Sequence, residues 1–180
     1  MKIAYLIDTT IPSLRANTVH VMRMCQALQA EGQDVTLYCD GVDNCDEHEI
    51  MQKYGITIPF KLERTHLSKF ARKIGHRFAI MILAHKKAKR VKDVDYVYGR
   101  SAYAINGIKH KYKFIFEVHA EPDKWNYMFE KKIINHKNCI GIVAISENLK
   151  KRYIEMFPSI SPSKFIVLHD CADIEKNEID

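Results

Sequence analysis

Glu117, His119 and Glu121 occupy alternate positions in the stretch Phe114 to Pro122, FIFEVHAEP. An imidazole titrates near neutral pH, so His119 can move a proton, orient a polar ligand or support charge that develops in a reaction. Side chains alternate between the two faces of a strand, which puts Glu117 on the His119 face and leaves Glu121 in the loop beyond. Pro122 stops the strand, because it has no N–H for a sheet ladder. Neither carboxylate spacing signals two acids flanking a glycosidic bond, so a paired-carboxylate glycosidase is not indicated and Glu117 is assigned to structure. On the residues alone, His119 either carries chemistry or merely ends a buried strand, bonded to backbone.

Other chemistry-bearing residues gather at similar transitions from apolar to polar sequence. The first apolar run, Ile3 to Ile7, leads into Asp8 to Asn17, which carries Ser13, Arg15, Ala16 and Asn17 ahead of His20; a later run ends in Gly99-Arg100-Ser101, and another in Ser146-Glu147. Asn17 and Ser146 suit helix N-caps, and a helix start beside Arg15 suits a phosphate or carboxylate. The loop after the first run has no glycine, which excludes the GxGxxG turn that brings backbone to a dinucleotide pyrophosphate. Asp8 stands alone at its strand end, which argues against a phosphoacceptor site built from clustered acids.

Positioning these residues requires a regular scaffold, and the hydrophobic pattern supplies one. Strands are expected at Ile3 to Ile7, Asp34 to Cys39, Ile56 to Ile58, Asp95 to Tyr98, Lys113 to Val118, Cys139 to Ile145 and Phe165 to Leu168. Helices are expected at Thr18 to Ala30, Leu67 to Val91, Ala102 to Lys109, Lys124 to Asn135 and Glu147 to Phe157, with Asp40 to Gly55 a polar region. Short strands interleaved with helices, several of them apolar on both faces, predict a doubly wound α/β fold. This is a Rossmann-like, mostly parallel sheet of about seven strands with helices on both faces. Ligands of such sheets bind beyond the carboxyl ends of the strands, where His119 falls.

Composition narrows the class. The chain has 180 residues, 47% hydrophobic, with 7 Gly and 5 Pro, as expected for a single domain over 1–180 rather than a disordered or fibrous chain. Its longest uncharged apolar run, Phe78 to Ala84, is too short to span a bilayer, and the first residues lack a signal-peptide pattern. The five cysteines are odd in number and include no CxxC pair, so they read as small buried hydrophobes in a reducing compartment, the cytoplasm by default.

Taken together, the motifs resemble glycosyltransferase family 4, of the GT-B type. MKIAYLIDTTIPSLRANTVHVMRMCQALQAEGQDVTLY is similar to that family's opening strand, loop, helix and second strand. DYVYGRS resembles its fourth strand, FIFEVHAEP its histidine-bearing fifth, and IGIVAISENLKKRYIEMF its strand-to-helix junction. KFIVLHDCAD resembles its closing strand, with Asp170-Cys171-Ala172 in place of the usual Asn-Gly before the Asp.

The resemblance implies a retaining transferase that passes a sugar from a nucleotide-sugar donor to a glycan or lipid-linked acceptor, with no catalytic metal. The chain corresponds to the N-terminal, acceptor-side half, and the donor-binding half lies outside it; the fragment alone is then expected to be inactive. His119 matches the family's reaction-centre histidine, with Ser13, Arg15, Ala16, Asn17, His20, Arg100, Glu121 and Ser146 lining the cleft. The alternative is a non-catalytic module with the same sheet that docks to an anionic membrane or a partner.

A basic stretch bears on that alternative. Lys69, Arg72, Lys73, Arg77, Lys86, Lys87, Lys89, Arg90 and Lys92 come with no acid among them, in a chain of formal net charge +6. A solvated helix face and an anionic membrane surface both remain open; the latter would make the protein peripheral on the inner face of a membrane, held chiefly by charge. Nucleic acid is not expected, since no stacking pattern or recognition motif accompanies the charge.

Overall fold

The computed structural model describes residues 1–41, 45–67 and 75–169. Seven strands alternate with helices: β1 Lys2–Ile11, α1 Ala16–Ala30, β2 Asp34–Gly41, α2 Glu47–Lys53, β3 Lys61–Thr65, α3 His76–Arg90, β4 Tyr96–Gly99, α4 Ala102–Ile108, β5 Lys113–Val118, α5 Lys124–Ile134, β6 Cys139–Ala144, α6 Glu147–Met156 and β7 Phe165–Val167. The strands form one sheet in the order β3-β2-β1-β4-β5-β6-β7. Every neighbouring pair is parallel.

Alternation along the central strand divides the core in two. Tyr5 and Ile7 of β1 pack with Val21, Met22 and Cys25 of α1 and with Ile50 of α2, whereas Ala4 and Leu6 pack with residues of α3, α4, α5 and α6. The order in which strands are added reverses between β1 and β4, which opens a crevice at their carboxyl ends. Gly99 sits at that point, where an added Cβ would lie 2.4 Å from the Leu6 carbonyl oxygen. The same carbonyl accepts from Arg100 N at 2.9 Å and Ser101 N at 3.3 Å, which steers Arg100 toward the crevice.

Several expected boundaries are corrected. Ile56 to Ile58 is no strand: Gln26 Oε1 accepts from Thr57 N at 2.6 Å and Ile58 N at 3.2 Å, tying that segment to α1. The third strand is β3 at the sheet edge, where Leu62 and Thr65 are buried while Lys61, Glu63 and Arg64 stay at least partly exposed. The polar region before it contains α2, started by Asp46, whose carboxylate accepts from His48 N and Glu49 N. β1 runs on to Ile11, so Asp8 lies within the strand.

Asn17 does not cap α1; Arg15 occupies the N-cap position and Asn17 lies in the first turn. Ser146 does cap α6, accepting from Leu149 N at 3.2 Å. The described part of the basic helix begins at His76, and Lys69, Arg72 and Lys73 lie outside the described residues, as does Asp170-Cys171-Ala172. Seven consecutive residues wrap round nearly two helical turns, so Phe78 to Ala84 cannot all face the sheet. Leu83 and Ala84 are buried, while Phe78 is 65% and Met81 42% exposed.

Candidate functional site

Glu117 is the hub of the site. It lies on β5, 3% exposed, on the sheet face that carries α1. Its Oε2 accepts from the Tyr5 hydroxyl at 2.8 Å. Its Oε1 is hydrogen-bonded to His119 Nε2 and lies 3.3 Å from His20 Nε2 on α1. The two imidazole rings meet edge to face, 5.7 Å apart between centroids. Tyr98 packs edge-on against Tyr5 at 4.8 Å and completes the aromatic floor.

The neighbours of this carboxylate favour its ionised form. Burial alone would push the Glu117 carboxyl up, but the imidazoles of His119 and His20 set beside it, with the Arg100 charge, hold it well below the usual range. It is an anion whose function is to accept. The Tyr5 phenol moves the other way, raised by burial and then by the Glu117 charge. Burial also raises the thiol of Cys25 on α1, which makes it a packing residue rather than a nucleophile.

His119 also opens onto a cavity of about 350 Å³, walled by Ala120, Glu121, Ser146, Asn148 and Arg152 among others. Two of its lining residues, Glu121 and Arg152, are ion-paired. Beneath Ala120, the Tyr153 hydroxyl lies 3.0 Å from the Ala120 carbonyl oxygen and 2.7 Å from Glu130 Oε2. Burial pushes the Glu130 carboxyl up to about 7, against the hydrogen bond from Tyr153. A neutral Glu130 can donate to Tyr153, freeing the tyrosine proton for Ala120.

The cleft residues expected from the sequence thus fall into connected groups. His20, His119 and Arg100 converge on Glu117, while Glu121 and Ser146 line the cavity that His119 shares. Arg15, Ala16 and Asn17 form the start of α1, one turn ahead of His20. Asn17 Oδ1 and Arg100 Nη1 are buried atoms with no hydrogen-bond partner among the described residues, a state that a polar ligand can relieve. Ser13 lies just ahead of α1, where its backbone is held by Tyr54: its N–H donates to the Tyr54 hydroxyl at 2.7 Å, and its carbonyl oxygen accepts from that hydroxyl at 2.6 Å.

Spacing alone assigns Glu117 to structure and misses its position at the centre of the cluster. The signal in the sequence is its company: a carboxylate between Phe116 and Val118 in a buried strand has to be paired. Lys87 is a correction in the opposite sense. Counted among the surface cations, it is fully buried, and its ammonium donates to the Ile7 carbonyl oxygen, to Asp8 Oδ1 at 2.8 Å and to Asp40 Oδ1 at 2.9 Å. Burial alone would lower the Lys87 ammonium, but the two carboxylates outweigh it and hold the side chain charged. Asp8 is therefore not solitary, and the triad ties β1 and the end of β2 to α3.

Comparison with known proteins places this geometry. Residues 18–176 match the sequence profile of Glycosyltransferase Family 4. No curated protein sequence matches the chain. Among solved structures, a sucrose-phosphate synthase from Thermosynechococcus elongatus superposes with TM-score 0.63 at 15% identity, over 96% of this chain and 90% of that one. TcCGT1 in complex with UDP superposes with TM-score 0.60 at 8% identity, over 98% of this chain and 53% of that one. A putative UDP-N-acetylglucosamine 2-epimerase from Listeria monocytogenes gives 0.64 at 11%, over 92% and 44%. The chain thus spans about half the length of the last two proteins. These likenesses establish the Rossmann-like fold, and the profile match over most of the sequence establishes the lineage: the chain belongs to glycosyltransferase family 4.

Proposed function

We propose that this chain is the acceptor-side half of a retaining glycosyltransferase that moves a sugar from a nucleotide-sugar donor to a glycan or lipid-linked acceptor without a catalytic metal. The observation that carries the reading is the His119, His20 and Glu117 cluster beside a cavity at the carboxyl ends of parallel strands, in a family 4 chain. The UDP bound by one structural relative is consistent with a nucleotide-linked donor. In such a transfer the anomeric carbon leaves the diphosphate oxygen and bonds to an acceptor hydroxyl, whose proton departs. His119 would orient the transferred sugar and support charge near that carbon. Arg15, Ala16, Asn17, Arg100, Glu121 and Ser146 would line the sugar and phosphate path.

Nucleoside diphosphate release from a panel of nucleotide sugars tests this. Release is expected when the chain is joined to a donor-binding half, and none from these 180 residues alone. Turnover by the isolated chain at ordinary enzyme rates, on the order of 1 s⁻¹ or faster, would overturn the two-half account.

A second property has its own observation. No helix among the described residues is long and apolar enough to cross a membrane. On α3, however, exposed Phe78 and Met81 share the surface with Arg77, Lys86 and Lys89, and Arg77 stacks over the exposed Trp125 at 5.3 Å. Apolar side chains amid cations suit an anionic lipid surface, to which each cation contributes roughly 1 kcal/mol. Cosedimentation is expected with anionic vesicles at low salt, weakened by salt and by Phe78→Ser, and not with neutral ones. Equal retention on both lipids, or none on anionic vesicles, would reduce this face to a solvated helix.

A further inference from the structure

We propose that Glu117 is a positioning residue that grips His20 and His119 together and fixes His119 in the tautomer with Nε2 protonated, leaving its Nδ1 as the acceptor for a sugar hydroxyl. This deepens the sugar-transfer reading and rests on it. Three atoms that carry lone pairs converge at this point. One ring nitrogen of His20, one of His119 and a Glu117 oxygen all lie within 4.8 Å of one another, and Glu117 Oε1 is the oxygen that Nε2 of each histidine approaches. Lone pairs do not converge in a buried site unless positive charge lies between them, either the imidazole N–H protons or a bound cation.

The surroundings favour protons. The Tyr5 hydroxyl already occupies Oε2 of the carboxylate, and the Arg100 charge acts on the same group, which works against adding a divalent ion. An ionised carboxylate can only accept, so each imidazole must turn an N–H toward it. A neutral imidazole has one N–H, and spending it on Glu117 makes Nδ1 the acceptor nitrogen. With the Nδ1–H tautomer, Nε2 would set its lone pair against a buried carboxylate.

The consequence concerns ligand chemistry. His119 is about one-fifth exposed and borders the cavity. A fixed Nδ1 acceptor there selects a ligand that donates, as a sugar hydroxyl does, over one that only accepts. His20 contributes as the second grip on the carboxylate, which stops Glu117 from rotating away from His119. The device is thus a carboxylate clamped by Tyr5 on one oxygen and by two imidazoles on the other.

Long-range ¹⁵N–¹H NMR of the imidazoles in the ligand-free chain tests this, with signals assigned through His20→Gln. The expected wild-type spectrum shows Nε2–H for both residues. In Glu117→Gln, the carboxamide keeps one acceptor oxygen and adds donors, so His119 is expected to lose its single tautomer. Tyr5→Phe, which leaves Oε1 untouched, is expected to keep it. An Nδ1–H form of His119 in the wild type overturns the proposal, and so does an unchanged His119 in folded Glu117→Gln. Stoichiometric Zn²⁺ binding that shifts both imidazoles would show a metal site instead. Should Glu117→Gln fail to fold, the wild-type and Tyr5→Phe spectra still decide. Because no sugar is present, failure here leaves the transfer reading to the nucleotide-sugar assay.

Discussion

Replacing His119 by alanine in the intact transferase is expected to lower kcat by about 10²-fold or more, the size associated with losing one preorganised group at a reacting centre. The effect should fall on kcat because the imidazole would act on charge that grows only as the sugar leaves the donor. Thermal stability should change little. His119 sits at the end of β5 and is partly exposed, and Glu117 retains Tyr5 and His20 when it is removed. Steady-state kinetics with a melting curve on the same sample make the check. A variant with normal kcat would return His119 to a strand-ending residue bonded to its neighbour.

The largest effect on stability is expected at Lys87. Lys87→Ala leaves Asp8 of β1 and Asp40 of β2 without their shared cation. Breaking a buried ion pair in this way costs about 3–5 kcal/mol, because an uncompensated charge stays in a poorly hydrated place. At roughly 2–4 °C per kcal/mol for a chain of this size, Tm should fall by about 6–20 °C. Lys86, its exposed neighbour, is the control: Lys86→Ala should stay within about 0.5 kcal/mol. Calorimetry or chemical denaturation of the two variants side by side gives the answer. Equal behaviour would mean that Lys87 is not buried as described.

Residues 113–118 and 139–144 show how much was legible in one dimension. Their apolar runs read as strands, and strands alternating with helices implied a parallel sheet whose carboxyl ends carry the polar residues; the sheet has that form. His119 was legible as a strand-end residue, and Ser146 as a cap, since a cap needs only a side-chain oxygen three residues before a free N–H. Boundaries failed where one local signal competed with another. Ile56 to Ile58 had the β-branched composition of a strand, yet its N–H groups had already been taken by Gln26 of α1.

The chain by itself therefore determined the order of elements, the sheet edge where chemistry would lie and the histidine placed there. These follow from periodicities of two and 3.6 residues that neighbouring side chains impose on the backbone. Only the tertiary structure decided that Glu117 joins His20 to His119, and that Lys87 belongs to the interior rather than to the basic surface. Tyr5 reaches Glu117 across 112 positions of sequence, and Lys87 reaches Asp8 across 79 and Asp40 across 47. A charge in a sequence carries no mark of its partner. Whether it is solvated or buried depends on which strand the fold sets beside it, because a buried charge persists only where an opposite charge or a donor is brought within hydrogen-bonding distance.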